Sequence, residues 1–291
     1  MTGSGRFAAA VAALVLRVDR ELGRPARLDV VDVGAGRGEL LVGVLARLPD
    51  EVRGRVRLVG VEVADRPAGL PDVIGWEREA PAGMIGVLVA NEWLDNVAFD
   101  VAELAADGIR LVEVDDRGAT RLGPPVGPAD LRWLADWWPL TEEGAQADIG
   151  RYRDASWAGA VGRLAAGVAV AIDYAHVRAA RPAYSTLTAY AEGRQVAPVP
   201  DGSCDLTAHV ALDACAAAAR ADATLFTTQR DALRQLGIAG TRPPRELASD
   251  DPAGYLRRLA AASEDGELLD PAGLGGFTWL VQAKGVPLPL S

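Results

Sequence analysis

The residue types and spacing that point most directly to chemistry lie in Val31-Asp32-Val33-Gly34-Ala35-Gly36-Arg37-Gly38. A β-rich run, Leu28–Val33, leads into this loop, and a helix-forming run, Glu39–Leu48, leaves it. Gly34, Gly36 and Gly38 let ligand atoms approach the backbone, and the start of a helix offers free N–H groups. A dinucleotide fingerprint needs a small residue at its sixth position. Here that residue is Glu39, bulky and anionic where a pyrophosphate would lie. The shorter G-x-G-x-G pattern suits S-adenosylmethionine, which has no phosphate and whose ammonium and sulfonium are cationic, so Asp32 beside the loop favours it. Glu62 ends the next β-rich run, Val56–Val63, where a carboxylate can accept hydrogen bonds from ribose hydroxyls. The competing reading of the same residues is a tight turn and a surface glutamate.

Other chemistries find less support. His176, Cys204, His209 and Cys215 are the only histidines and cysteines, and they lack the C-x-x-C spacing of a zinc site, so no metal is expected. No G-x-S-x-G elbow is present, which argues against hydrolase chemistry. The net charge of −10 and the lack of any Lys/Arg run argue against nucleic acid or an anionic membrane as partner. Phe7–Leu16 has the apolarity of a signal-peptide core, but Arg17, Asp19, Arg20 and Glu21 follow it with no small-residue cleavage site. It reads as a helix, and the chain as cytoplasmic. Two cysteines form no disulfide framework, in keeping with a reducing compartment.

The elements that position these residues alternate. Further strands are expected at Met84–Ala90, Val168–Tyr174, Thr224–Thr227 and Phe277–Gln282, and helices at Ala155–Ala166, His209–Ala221, Gln229–Leu236 and Pro252–Ala262. Trp76, between two strands, either flanks an adenine or belongs to the core. Strands alternating with helices give an α/β, doubly wound, mostly parallel sheet of Rossmann-like type. Phe99–Ala105 and Ile109–Val114 flank Asp107-Gly108, a hairpin signal, and a Trp-rich helical run follows. We expect one domain over residues 1–291, with a β-hairpin and helical insertion at about 97–154 covering the ligand edge.

Three stretches then combine. VDVGAGRGELL, Ala90-Asn91-Glu92-Trp93-Leu94-Asp95-Asn96 and Ile172-Asp173-Tyr174, followed by Ser185–Tyr190 and Asp205–His209, resemble in order the motifs of the MidA-type family. That family includes a mitochondrial complex I assembly factor that methylates an arginine of a partner subunit. The likeness runs from about Leu28 to the C-terminus. It implies a class I methyltransferase fold, S-adenosylmethionine as cofactor, and cofactor contacts from Asp32, Gly34, Gly36, Gly38, Glu62 and Asn91. Methyl transfer is an in-line displacement, and a guanidinium acceptor needs carboxylates to orient it. Glu92, on the loop after the strand beside the glycine loop, is the leading catalytic candidate, with Asp95 one turn on. Asp173 and Tyr174 are candidates to line the acceptor site. The bland readings are a helix-start glutamate, a capping aspartate and strand-end packing. Two departures stand out: only residues 1–27 precede the first strand, and Asn96-Val97-Ala98 stands where the family reads Ala-Leu-Pro-Val. They favour a rival reading, a non-catalytic cofactor-binding assembly protein. A small-molecule methyltransferase is a further alternative to a protein substrate, and homo-oligomerisation is left open.

Overall fold

The computed structural model describes residues 5–290, which divide into two compact units. One holds the residues up to Asn91, Ala160–Ile172 and the stretch from Ala221 onward; the other holds Glu92–Gly159 and Asp173–Arg220.

The first unit is built on a seven-stranded sheet. Its strands in chain order are β1 (Leu28–Val33), β2 (Val56–Val61), β3 (Ile74–Glu77), β4 (Met84–Asn91), β5 (Leu164–Asp173), β6 (Ala223–Thr228) and β7 (Thr278–Lys284). The spatial order is β6-β7-β5-β4-β1-β2-β3. β3, β2, β1, β4 and β5 are parallel, while β6 and β7 pair antiparallel. The mostly parallel sheet expected from the sequence is therefore present. Every residue of β1 is buried, as a central parallel strand covered on both faces requires. The apolar N-terminal run forms helix Gly5–Glu21, whose Phe7, Val11, Leu14, Val15 and Val18 are buried in the main core. Among the described residues, no helix is long and apolar enough to cross a membrane.

Several boundaries differ from expectation. The strand β5 begins at Leu164, inside a run whose alanines suggest helix, because pairing with β4 overrides local propensity. The preceding helix accordingly spans Arg151–Gly162. β3 escapes the sequence pattern because it is four residues long and contains Gly75. Trp76 lies on it and packs against the main core, with Nε1 donating to the Ala64 carbonyl at 3.0 Å.

The second unit contains the expected hairpin, Asp100–Ala105 with Gly108–Val114, inside a four-stranded antiparallel sheet. Helix Pro128–Trp137 brings Trp133 and Leu134 onto it, together with Trp138, Ala102, Ala147 and Ile149. A second, three-stranded sheet of short strands spans Thr188–Thr207 and has no counterpart in the sequence-based expectation. The helix expected from His209 runs only over Leu212–Ala218, because Val210–Ala211 pairs with Ala175–His176.

One buried charge ties three strands of the large sheet. Asp29 of β1 is fully buried; it accepts Arg57 Nε at 2.7 Å from β2 and the Ile85 N–H at 2.9 Å from β4. Removing it strands a guanidinium and a buried N–H at once. Asp29→Ala should lower unfolding free energy by about 3 kcal/mol, the lower end for a broken buried pair since Arg57 is partly exposed. Urea denaturation reads this directly, and an unchanged midpoint would contradict it.

Candidate cofactor edge and acidic loop

The register of the parallel strands sets the first unit's edge. Val33 lies level with Val61 of β2 and with Ala90 of β4. The residues that follow, Gly34, Glu62 and Asn91, are therefore brought to one carboxyl edge of the sheet, the edge where α/β proteins bind ligands. Gly34, Gly36 and Gly38 have φ of 74°, 55° and 76°, all left-handed. A side chain built on Gly36 would meet nothing within 4 Å, so open space lies over the loop, whereas one on Gly38 would strike Leu70 at 2.7 Å.

The loop is pinned from β2. Gly34 and Ala35 donate to the Val61 carbonyl at 2.9 and 3.2 Å. Glu62 Oε2 accepts the Gly36 N–H at 3.0 Å, and its Oε1 accepts the Val63 N–H at 2.7 Å. Oε1 also accepts the Ala64 N–H at 3.4 Å, so it is Oε2, with a single such donor, that retains a second lone pair for a ligand hydroxyl. Asp32 is buried, and its Oδ2 has no hydrogen-bond partner. Burial, and then the charge of Glu62, push its carboxyl up to about 7. A cation arriving here would meet an acid ready to give up its proton. Asn91, also buried, ends β4.

The second unit opens at Glu92, whose φ of 51° is left-handed and costly for a non-glycine residue. Asn96 holds this conformation: its Nδ2 donates to the Glu92 carbonyl at 3.0 Å and to Asp95 Oδ1 at 2.9 Å. Leu94 N–H donates to Asp173 Oδ2 at 3.3 Å. Asp173 is wholly buried, and its Oδ1 has no hydrogen-bond donor. Burial, and then the neighbouring Asp95, push Asp173 well above the usual carboxyl range. Asp173 is thus a buried acid set against Asp95, shifted toward its uncharged form, and it is inaccessible as a lining residue. Asp95 is held on its other side by Thr207, whose Oγ1 donates to Oδ2 at 3.0 Å. Tyr174 is half exposed and stacks on His209 with ring centroids 5.7 Å apart. Burial and nearby Glu92 raise its phenol, so it stays protonated, while burial lowers His209 and keeps that ring neutral.

Sequence reasoning missed the residues that support these groups. The fully buried Arg153 donates to the carbonyls of Asp95, Val97 and His209 at 2.9, 3.2 and 3.0 Å, and its guanidinium lies over Phe99. Buried Asp148 accepts Ser185 Oγ and Thr186 Oγ1, both at 2.5 Å, and Thr186 Oγ1 accepts the His209 N–H at 2.9 Å. The serine and threonine of the Ser185–Tyr190 stretch therefore act as clamps. No sequence pattern announces an arginine buried against carbonyls. Among the described residues, no group of three or more His, Cys, Asp or Glu side chains is arranged to hold a metal. Cys215 is buried beneath this region, its thiol pushed well up by burial and by Asp154.

Residues 10–229 match the family model of S-adenosyl-L-methionine-dependent methyltransferases. The chain belongs to that family. A Burkholderia thailandensis protein solved with bound S-adenosyl-homocysteine is similar to it, at 26% identity and a TM-score of 0.80, over 99% of this chain and 79% of that one. A native crystal structure from the same organism gives 26% identity and a TM-score of 0.80, over 98% and 80%. No curated protein matches the chain. The fold of this methyltransferase is thus of the class I type, and its cofactor is S-adenosylmethionine. The first unit fits that cofactor on its own geometry: space over Gly36, an unpartnered buried oxygen on Asp32 for a cationic group, and an accessible Glu62 for hydroxyls.

The raised Asp32 has a consequence for stability. An unfolded aspartate titrates near 3.9 and the folded Asp32 near 7. Between these values the native state binds more protons than the unfolded state, so its contribution is full below about 4 and is lost as pH rises through about 7. Asp32→Asn should therefore gain stability relative to the parent methyltransferase between pH 4 and 7. Denaturation across that range checks it, and parallel pH curves for the two proteins would contradict the assignment.

Proposed function

We propose that this methyltransferase is of the MidA type and transfers a methyl group to a nitrogen of protein arginine. The observation that carries the reading is Glu92, held left-handed on a loop that also brings Asp95 against the buried Asp173. Backbone strain fixed by a side-chain clamp is a feature of functional loops, and here the clamp is Asn96. The ordered motifs from VDVGAGRG to Asp205–His209 support the same family type.

Bound S-adenosylmethionine supplies an electrophilic methyl on a cationic sulfur. The acceptor side must then hold a guanidinium, direct one nitrogen, and take the proton that nitrogen loses on methylation. Glu92 carries the negative charge for the first task, and a carboxylate matches the planar guanidinium fork with two parallel hydrogen bonds. Asp95 offers a second carboxylate, kept in place by Asn96 and Thr207. The buried Asp173 acts through Asp95, as a positioning residue.

Glu92→Gln should leave cofactor affinity intact and reduce methyl transfer about a hundredfold or more, the scale for losing one preorganised electrostatic group. Glu92→Gly should lose transfer as well, yet gain about 1 kcal/mol in stability by relieving the left-handed strain. The assay is transfer of labelled methyl to a proteome extract, followed by amino-acid analysis. Label on arginine that vanishes in both variants is expected. Label on a small molecule, or no transfer by a parent protein that binds cofactor, would overturn the arginine reading.

A further inference from the structure

The three-stranded sheet that the sequence did not reveal has two unlike faces. Its central strand, Thr188–Ala191, pairs antiparallel with Arg194–Val196 and with Asp205–Thr207. Tyr190 lies opposite Gln195 on one side and Asp205 on the other, and Thr188 lies opposite Thr207. Directly opposed residues share a face, and alternate residues along a strand do too. Thr188, Tyr190, Gln195, Asp205 and Thr207 therefore form one face, and the bond from Gln195 Nε2 to Thr188 Oγ1 at 2.9 Å agrees. Ala189, Arg194, Val196 and Leu206 form the other.

The first face is the one that meets the acidic loop. Thr207 Oγ1 donates to Asp95 Oδ2 at 3.0 Å, fixing the sheet's orientation there. Tyr174 has Glu92, Tyr190 and Asp95 as electrostatic neighbours, and His209 stacks behind its ring at an interplanar angle of 15°. Tyr174 and Tyr190 stay 40% and 44% exposed, which is unusual for aromatic rings with so much structure around them. Asp205 is exposed as well. The sheet's own arginine, Arg194, is on the opposite face, and Arg153 is buried against backbone carbonyls. An accessible phenol ring, Tyr190, thus stands directly opposite an exposed carboxylate, Asp205, with no cation of the sheet's own on that face, and Tyr174 is a neighbour of that ring. Aromatic faces attract cations, and a flat guanidinium both stacks on rings and pairs with carboxylates.

We infer that Tyr190 and Asp205, with Tyr174, form the recognition surface that selects a guanidinium side chain as the methyl acceptor. This rests on the arginine reading above and adds to it the residues that discriminate. A merely structural Tyr190–Asp205 cross-strand pair would steady the sheet and would be blind to the charge of a ligand.

The test uses the full chain saturated with S-adenosyl-homocysteine and two short acetylated peptides, one with a central arginine and one with citrulline in its place. Citrulline keeps the planar shape and loses the charge. Calorimetry should show the arginine peptide binding at least about tenfold more tightly, the scale of a desolvated cation–aromatic contact. Tyr190→Leu and Asp205→Asn should each erase most of that preference, while Tyr190→Phe keeps it and cofactor affinity and melting temperature stay put in all three. No preference for arginine over citrulline in the parent protein overturns the inference, as does an undiminished preference in Tyr190→Leu and Asp205→Asn. Labelled methyl found on arginine, with unchanged kcat/KM in those two variants, would sink this inference alone and leave the arginine reading standing. Label found on another acceptor would sink both.

Discussion

Burial of Asp32 near the end of β1, an interior strand of the sheet, is the constraint from which the rest of the cofactor edge follows. A carboxyl with no hydrogen-bond partner on one oxygen is costly in a sheet interior. That cost, with the charge of Glu62, moves its titration up to about 7 and so favours the uncharged form in mildly acid solution. Glu62, which contributes to the shift, is also the residue that ties the glycine loop to the neighbouring strand through Gly36. One pair of acids therefore sets both the charge of the edge and the shape of the loop. A cationic ligand relieves the first acid, and a ligand with hydroxyls suits the second. S-adenosylmethionine has both features, and a pyrophosphate has neither.

The second unit repeats the device with different parts. Asp173 is buried and shifted upward beside Asp95, as Asp32 is beside Glu62. In the first pair the hidden acid stands beside a partly exposed one, whereas in the second both carboxyls are buried. The supports differ: the first pair rests on backbone N–H groups, the second on Asn96, Thr207 and the carbonyl-bound Arg153. The fixed left-handed backbone of Glu92 adds a strained residue to the second set only. Strain at that position makes sense where a side chain must be aimed, and the first unit, which needs only to hold its ligand, does without it.

Much of this was legible in the sequence because it depends on local rules. The valine-rich β1, the left-handed glycines after it and the acid just past β2 follow from composition, turn chemistry and strand-end position, and the structure places Asp32, Glu62 and Asn91 at one edge. The large carboxylate loop was legible through the resemblance of its motifs. What stayed hidden depends on non-local pairing. Asp173 read as a lining residue, and only the packing around it shows that it is wholly buried. The sheet carrying Tyr190 and Asp205 has strands of three and four residues, too short for alternation to register. Arg153 lies just before the helix expected from the sequence, and its partners are carbonyls more than fifty positions away. The N-terminal apolar run, read from the sequence as a helix, forms helix Gly5–Glu21 with its apolar side in the main core.

The central claim is that cofactor binding ionises Asp32, and the proton that leaves can be counted. Isothermal titration of S-adenosylmethionine at pH 6, in buffers of different ionisation enthalpy, measures the protons exchanged on binding. At that pH Asp32 is mostly protonated in the free protein and should be driven to the carboxylate by the cofactor's cationic groups, so binding should release close to one proton. Asp32→Asn should bind without that release. Tight binding to the parent protein with no proton released, or release that persists in Asp32→Asn, would contradict the account.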